Sequence, residues 1–367
     1  MGGSILLVAV VLLLNSPVGL CGCYTRILCF GDSIIDTGNF AYASGNSPSA
    51  VKELPYGMTY FDRPTGRVSD GRVILDFYAQ ALGLPLIPPS MPEEGSGQFP
   101  NGANFAVLGS TALSPDYFKT KYNFAVPAPS CLDAQLASFK KMLARIAPGD
   151  DATRKLLSES LVVLGEIGGN DYNFWLLGGK PRETPSQYMP DVVARIGAAV
   201  QEVIDLGAKV VLVPGNFPIG CVPQYLSTFQ TTNSTSDYDE HGCLVWYNEF
   251  SKKHNQLLVQ EVGRLRSQNP SATIIYADYY GAAMQFVQNA KNYGINDALV
   301  ACCGGTAPYN TGHSCDKTAK LWGNPADFAS WDGIHMTEKA YGIIANGVLE
   351  GPYADNPLLK TCMQSKP

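Results

Sequence analysis

Short apolar runs recur along the chain at 27–30, 104–108, 161–167, 209–213 and 273–277, each a strand's length and most of them followed by glycine, proline or asparagine. Between them lie stretches in which apolar residues return at helical spacing. Val73, Phe77 and Leu82 share a face over 70–82, and Val192, Ile196, Val200, Val203 and Ile204 do so over 187–206. A longer amphipathic stretch, 246–266, ends at Asn269-Pro270, and another, 337–349, is closed by Gly351-Pro352. Strands alternating with helices over the whole length predict an α/β fold around a mostly parallel sheet. No Gly/Ser/Pro linker divides the chain, so one domain is expected, with large surface loops at 83–102 and 302–325.

Open α/β sheets hold their ligands beyond the carboxyl ends of the strands, near a topological switch. Gly31-Asp32-Ser33 follows the first run, Gly109-Ser110-Thr111 the second, Gly168-Gly169-Asn170-Asp171 the third and Pro214-Gly215-Asn216 the fourth. In a flavodoxin-like order, 2-1-3-4-5, the Gly109 and Asn170 turns bracket Ser33. That bracket suits acyl transfer, which needs a nucleophile and donors aimed at the oxyanion that forms. The Ser33 N–H, the Gly109 N–H and the Asn170 side-chain amide are three such donors. The blander reading of Ser33 is a helix cap, and of Asn170 a turn residue.

A serine nucleophile needs a base, and the chain has four histidines. His254 falls within the 246–266 helix, where a solvated position is expected. His241 and His313 sit in cysteine-containing loops. His335 follows Trp331-Asp332-Gly333-Ile334, and Asp332, three residues earlier, can orient its imidazole and stabilise it when protonated. The resulting order is Ser33, Asp332, His335.

Composition is that of a globular chain, with 46% hydrophobic and 16% charged residues over 367, and the net charge of -6 provides no basic footprint for nucleic acid. The apolar run at 5–14, followed by Pro17, Gly19 and Cys21, reads as a signal peptide over 1–21, although it lacks the usual basic start. It is about half the ~20 residues that a membrane span needs. The mature domain is then 22–367, and secretion to the extracellular space, the apoplast or the vacuole is expected. Secretion makes the ten cysteines disulfide candidates, with Cys221–Cys243 and either Cys302 or Cys303 with Cys315 as the short closures. Zinc held by His241/Cys243 and His313/Cys315 matches no standard spacing. Asn233-Ser-Thr is a glycosylation sequon.

Four ordered blocks resemble the plant GDSL esterases/lipases of the SGNH hydrolase superfamily, over nearly all of the mature chain. They are Phe30-Gly31-Asp32-Ser33 through Asp36-Thr37-Gly38-Asn39, then Asn101-Gly102-Ala103-Asn104-Phe105-Ala106 ending at Gly109, then Gly165-Glu166-Ile167-Gly168-Gly169-Asn170-Asp171, and finally Trp331-Asp332-Gly333-Ile334-His335. The resemblance implies a flavodoxin-like three-layer sandwich with a five-stranded sheet. It implies Ser33 as nucleophile, His335 as base, Asp332 as its partner, and Gly109 and Asn170 as oxyanion donors, with no cofactor. Leu108 and Ser110 stand where small residues are common, and Thr306-Ala307 interrupts a usual glycine run. The third block looks most like the sinapine-esterase and acetylajmalan-esterase branch, which leans toward small acetyl or phenolic esters. No Gly-x-Ser-x-Gly elbow and no P-loop occur. An acyltransferase using the same acyl-enzyme is the alternative, and a non-catalytic binding protein the third reading. Retention of both Ser33 and His335 speaks against the last.

Overall fold

The computed structural model describes residues 22–231 and 234–364; residues 1–21, where a signal peptide is expected, and Asn233 of the sequon lie outside the described residues. Five parallel strands form the central sheet: β1 (Arg26–Phe30), β2 (Gly102–Asn104), β3 (Ser160–Leu164), β4 (Val210–Pro214) and β5 (Thr273–Ala277), in the order β2-β1-β3-β4-β5. The helices that matter here are α1 (Ile74–Ala81), α2 (Leu132–Ile146), α3 (Gly169–Leu177), α4 (Pro185–Leu206), α5 (Pro223–Thr228), α6 (Val245–Gln268), α7 (Tyr279–Gln288) and α8 (Glu338–Leu349).

Alternate strand residues feed two cores. Leu28, Phe30, Val162, Leu164, Val211 and Val213 pack with α2, α4 and α6 on one face. Ile27, Cys29, Leu161, Val163, Leu212 and Ile275 pack with α1, α7 and α8 on the other. A strand buried on both faces has no polar side to show, which is why these runs read as continuously apolar. The register sets Phe30 beside Leu164, and Val163 beside Leu212, so the turns after β1, β3 and β4 emerge at one level.

Two strand bounds differ from expectation. The run at 104–108 contributes only Asn104 to β2, and on the side away from β1 Asn39 Nδ2 takes the carbonyls of Asn104 and Ala106. Phe105 and Val107 still donate to Cys29 and Gly31 along β1. Strand β3 stops at Leu164 rather than 167, since Gly165 turns away with φ +128°. Helix α1 starts at Ile74, four residues later than expected, where Asp76 accepts the Val73 N–H at 2.9 Å and ion-pairs with buried Arg67 at 2.7 Å. Helices α2 and α7 carried no periodic pattern that the sequence reading picked out.

Disulfides join Cys221 to Cys243 and Cys303, not Cys302, to Cys315. A third, Cys23–Cys362, spans 339 residues and links the two ends of the described chain. Cys29, Cys131 and Cys302 are free and buried. The expectation for His254 fails: it is 1% exposed, bonded through Nδ1 to the Tyr172 hydroxyl at 2.8 Å, and burial lowers its pKa to about 4. Its helix packs against both α4 and β5, so a face that reads as polar is turned inward.

Candidate active site

The turns beyond β1, β2 and β3 converge, as the strand order requires. Gln135 of α2 grips Gly31 on both sides, its Oε1 accepting the Gly31 N–H at 2.9 Å and its Nε2 donating to the Gly31 carbonyl at 2.7 Å. Asp32 then bends the chain by accepting the Ile34 N–H at 3.0 Å, which leaves Ser33 at the apex. His335 arrives from the segment before α8 and sets Nε2 2.8 Å from Ser33 Oγ. Its Nδ1 lies 2.7 Å from Asp332 Oδ2, and Asp332 Oδ1 accepts the backbone N–H groups of Ile334 and His335 at 3.0 and 2.8 Å. Tyr56, to which the sequence reading gave no role, donates its hydroxyl to Asp332 Oδ2 at 2.8 Å.

Burial raises the cost of the Asp332 charge, but His335 and the two backbone donors outweigh it, and the carboxyl titrates near 2. For His335 burial disfavours the imidazolium. Asp332, by charge and hydrogen bond, and Asp32 more weakly, outweigh burial, so its pKa lies above the ordinary value. A hydroxyl, an oriented imidazole and a fixed carboxylate in this line can transfer the serine proton.

The second requirement is unpaired donors. Around Ser33 the backbone N–H groups are spoken for: Asp32 donates to the Glu166 carbonyl and Ile34 to Asp32. Around Gly109, Leu108 donates to Asp36 Oδ2 at 2.9 Å and Ser110 to the Val107 carbonyl. Among the described residues, the N–H groups of Ser33 and Gly109 have no acceptor. Gly109 has φ +79°, and a Cβ there would stand 3.2 Å from Pro129 Cδ, so glycine is needed for the bend that turns its N–H free.

The loop bearing Gly109 is pinned from both flanks by carboxylates that the sequence reading quoted in motifs but did not assign. Asp36 holds Leu108 together with Gly38, Asn39 and Phe40. Asp171, in the first turn of α3, accepts the N–H groups of Ala112 and Leu113 at 2.8 and 2.9 Å. Asn170, its neighbour, donates Nδ2 to Asp32 Oδ2 at 2.9 Å and to the Ser110 carbonyl at 3.1 Å. Both amide protons are thus engaged in the free protein. A cleft of about 220 Å³ opens over Ser33, His335, Gly109 and Asn170, with Leu108, Phe174, Leu177, Phe217, Ile219 and Val222 among its apolar walls.

The GDSL-like lipase/acylhydrolase family pattern matches residues 27–348, which takes in every strand of the sheet and the whole of the cleft. The chain belongs to that family. A GDSL esterase/lipase of Arabidopsis thaliana is 42% identical over 354 residues, covering 94% of this chain and 89% of the relative. Sinapine esterase of Brassica napus is 41% identical over 352 residues, covering 94% and 90%. Among solved structures, an acetyl-xylooligosaccharide esterase from Geobacillus overlays with a TM-score of 0.38 at 14% identity, covering 90% of this chain and 94% of that one. That overlay is too loose to carry an argument; the fold stands on the chain's own strand order. This GDSL esterase/lipase is a carboxylic ester hydrolase of the plant type.

Proposed function

We propose that the enzyme works through an acyl-enzyme on Ser33. Ser33 Oγ attacks the ester carbonyl carbon while its proton passes to His335 Nε2. The carbonyl oxygen becomes an oxyanion, met by the N–H groups of Ser33 and Gly109 and by Asn170, whose longer bond to the Ser110 carbonyl is the one to yield. Asp332 stabilises the imidazolium. His335 then protonates the departing alcohol, activates a water against the acyl-enzyme, and Ser33 is released with the free acid. The observation that carries this reading is the 2.8 Å Ser33–His335 contact beside two unpaired N–H groups.

Small acetyl or phenolic esters are the proposed substrates. The cleft of about 220 Å³ favours a compact ester, and the loops at 83–102 and 302–325 supply no long amphipathic helix of the kind that lids an interfacial lipase. The apolar leader and the disulfides support secretion of a single 22–367 hydrolase unit to the extracellular space or vacuole. Among the described residues no helix is long and apolar enough to cross a membrane.

The test is covalent. An organophosphate should label Ser33 alone, and Ser33→Ala should keep its melting temperature while losing hydrolysis of p-nitrophenyl esters. Labelling of another serine, or turnover by the mutant, refutes the assignment. Product analysis with added alcohols separates hydrolysis from acyl transfer.

A further inference from the structure

The cleft is apolar around Ser33 but not on the side that lies beyond β3 and β4. Glu166 follows β3, Asn216 follows β4, Tyr225 belongs to α5, and Asn173 lies one turn after Asn170 in α3; all four line the cleft. Each leaves one buried polar atom without a partner: Glu166 Oε1, Asn216 Nδ2, the Tyr225 hydroxyl and Asn173 Oδ1. Three of these residues are almost wholly enclosed, at 3% exposure for Glu166 and 2% each for Asn216 and Tyr225. The rest of Asn216 is engaged in the usual way. Asn216 Oδ1 accepts the Phe217 N–H at 2.8 Å, and the Asn216 backbone is clasped by Asn255 at 2.7 and 2.9 Å.

An unmet buried polar atom costs about 1–3 kcal/mol, so four of them gathered on one wall of a ligand cleft call for a partner. The atoms are recessed, and a small group seated deep in the cleft reaches them where bulk solvent does not. Their chemistry selects that group. Asn216 Nδ2 only donates, Asn173 Oδ1 only accepts, and the tyrosine hydroxyl does either. An anion cannot use the Asn173 oxygen and meets the Asp32 and Glu166 carboxyls. A cation cannot use the Asn216 amide. A neutral hydroxyl uses both.

We propose that the β3–β4 wall, through Glu166, Asn173, Asn216 and Tyr225, is a subsite for a hydroxyl group of the ester, so that the preferred substrates are hydroxylated rather than plain alkyl or aryl esters. The geometry of the sheet gives the direction. Gly109 lies beyond β2, on the opposite side of β1, so an ester whose carbonyl oxygen faces the Ser33 and Gly109 N–H groups extends its other arm toward β3 and β4. Burial keeps the Glu166 carboxyl well above the usual carboxylate range, with the neighbouring Asp32 charge adding to it; its proton goes into a hydrogen bond with Asp32, so toward the cleft Glu166 presents an acceptor oxygen. The proposal deepens the esterase reading and rests on it.

Two matched pairs test it and distinguish the arms: phenyl acetate against 3-hydroxyphenyl acetate, and p-nitrophenyl 3-phenylpropanoate against its 4-hydroxyphenyl counterpart. The wild-type enzyme should prefer the hydroxylated member of at least one pair by about tenfold in kcat/KM, the scale of one or two hydrogen bonds. Tyr225→Phe removes only an unpartnered oxygen and should cut that preference at least threefold; Glu166→Gln, which keeps the shape, provides a second variant. A preference near one in both pairs, or a preference undiminished in both variants, overturns the subsite. Organophosphate labelling of Ser33 reports on the triad alone, and the hydroxyl ratio on the subsite alone, so the two failures are distinguishable.

Discussion

In the proposed mechanism Ser33, His335 and Asn170 hold different parts of the chemistry, and single substitutions separate them. Asn170 donates to Asp32 and Ser110 in the free protein, so its value to an oxyanion is realised only when charge develops there. Asn170→Ala should lower kcat by roughly 10²–10³ with little change in KM, a loss far larger than the fall in melting temperature from the Asp32 and Ser110 acceptors it leaves unmet can account for. Near-wild-type kcat in the folded mutant would remove it from the site. For His335 the working form is the free base. Its pKa is raised because Asp332 outweighs the burial that opposes the imidazolium. The acid limb of kcat/KM should therefore have its midpoint above the ordinary ~6.5, with activity present above it and lost as pH falls. Asp332→Asn removes the charge that raises the pKa, so the midpoint should move to lower pH while kcat falls by about 10³–10⁴. A pH profile measured on both proteins checks the sign, and an unmoved midpoint contradicts the pairing.

At the scale of elements, the proposed mechanism depends on how the segment after β2 is held against the first turn of α3. Asp171 accepts two N–H groups of that segment, just beyond Gly109, and lies next to Asn170. Removing it leaves two buried donors unmet, at about 1–3 kcal/mol each. Asp171→Ala should thus lose both stability and kcat, because the Gly109 N–H no longer points where the oxyanion forms. Asp171→Asn keeps one carbonyl acceptor and should fall between. Melting temperature and kcat measured together decide the matter: a stability loss with kcat intact in the folded fraction shows that the Gly109 loop is positioned without this carboxylate.

Across the whole molecule, buried ionisable groups make stability depend on pH. Burial raises Asp32 to about 6 and Asp171 to about 7, and holds Glu166 well above the usual carboxylate range. Each binds its proton more tightly folded than unfolded, so its contribution is fully present below the ordinary ~4 and is lost as pH rises through the folded value. His335 has the same sign. His254, lowered to about 4 by burial, works the other way between there and ~6.5, and Asp332 withdraws its contribution only as pH falls toward 2. Asp36 and Asp70, raised by burial as well, share the sign of the buried carboxyls, so the balance of these groups predicts a melting temperature that rises from pH 8 to about 5.5, measured by scanning calorimetry. A flat or falling trend over that interval contradicts the burial of these carboxyls. Stability and turnover then favour opposite ends of the range, since His335 must be unprotonated to act.

Much of this is legible in the chain alone. Runs of apolar residues followed by Gly31, Gly109, Gly168 and Pro214 disclose strands and the turns after them, because a strand buried on both faces has no polar period and must stop at residues that bend, although the third strand already stops before Gly165. The order of Ser33, Gly109, Asn170 and Asp332/His335 along the chain follows from those strand ends. Local spacing also carried Asp332 to His335, three residues apart, and the short disulfide closures. The remaining features join residues distant in sequence, and no local pattern encodes such a meeting. Cys23 with Cys362, Gln135 on Gly31, Tyr56 on Asp332 and Asp171 under the Gly109 loop all arise from packing. So does the inward turn of His254, whose helix packs a polar-looking face against α4 and β5. The residues at each strand end are written in the chain one by one, while the distances among them, and which N–H groups stay unpaired, are set only when the parallel sheet brings those ends to one level.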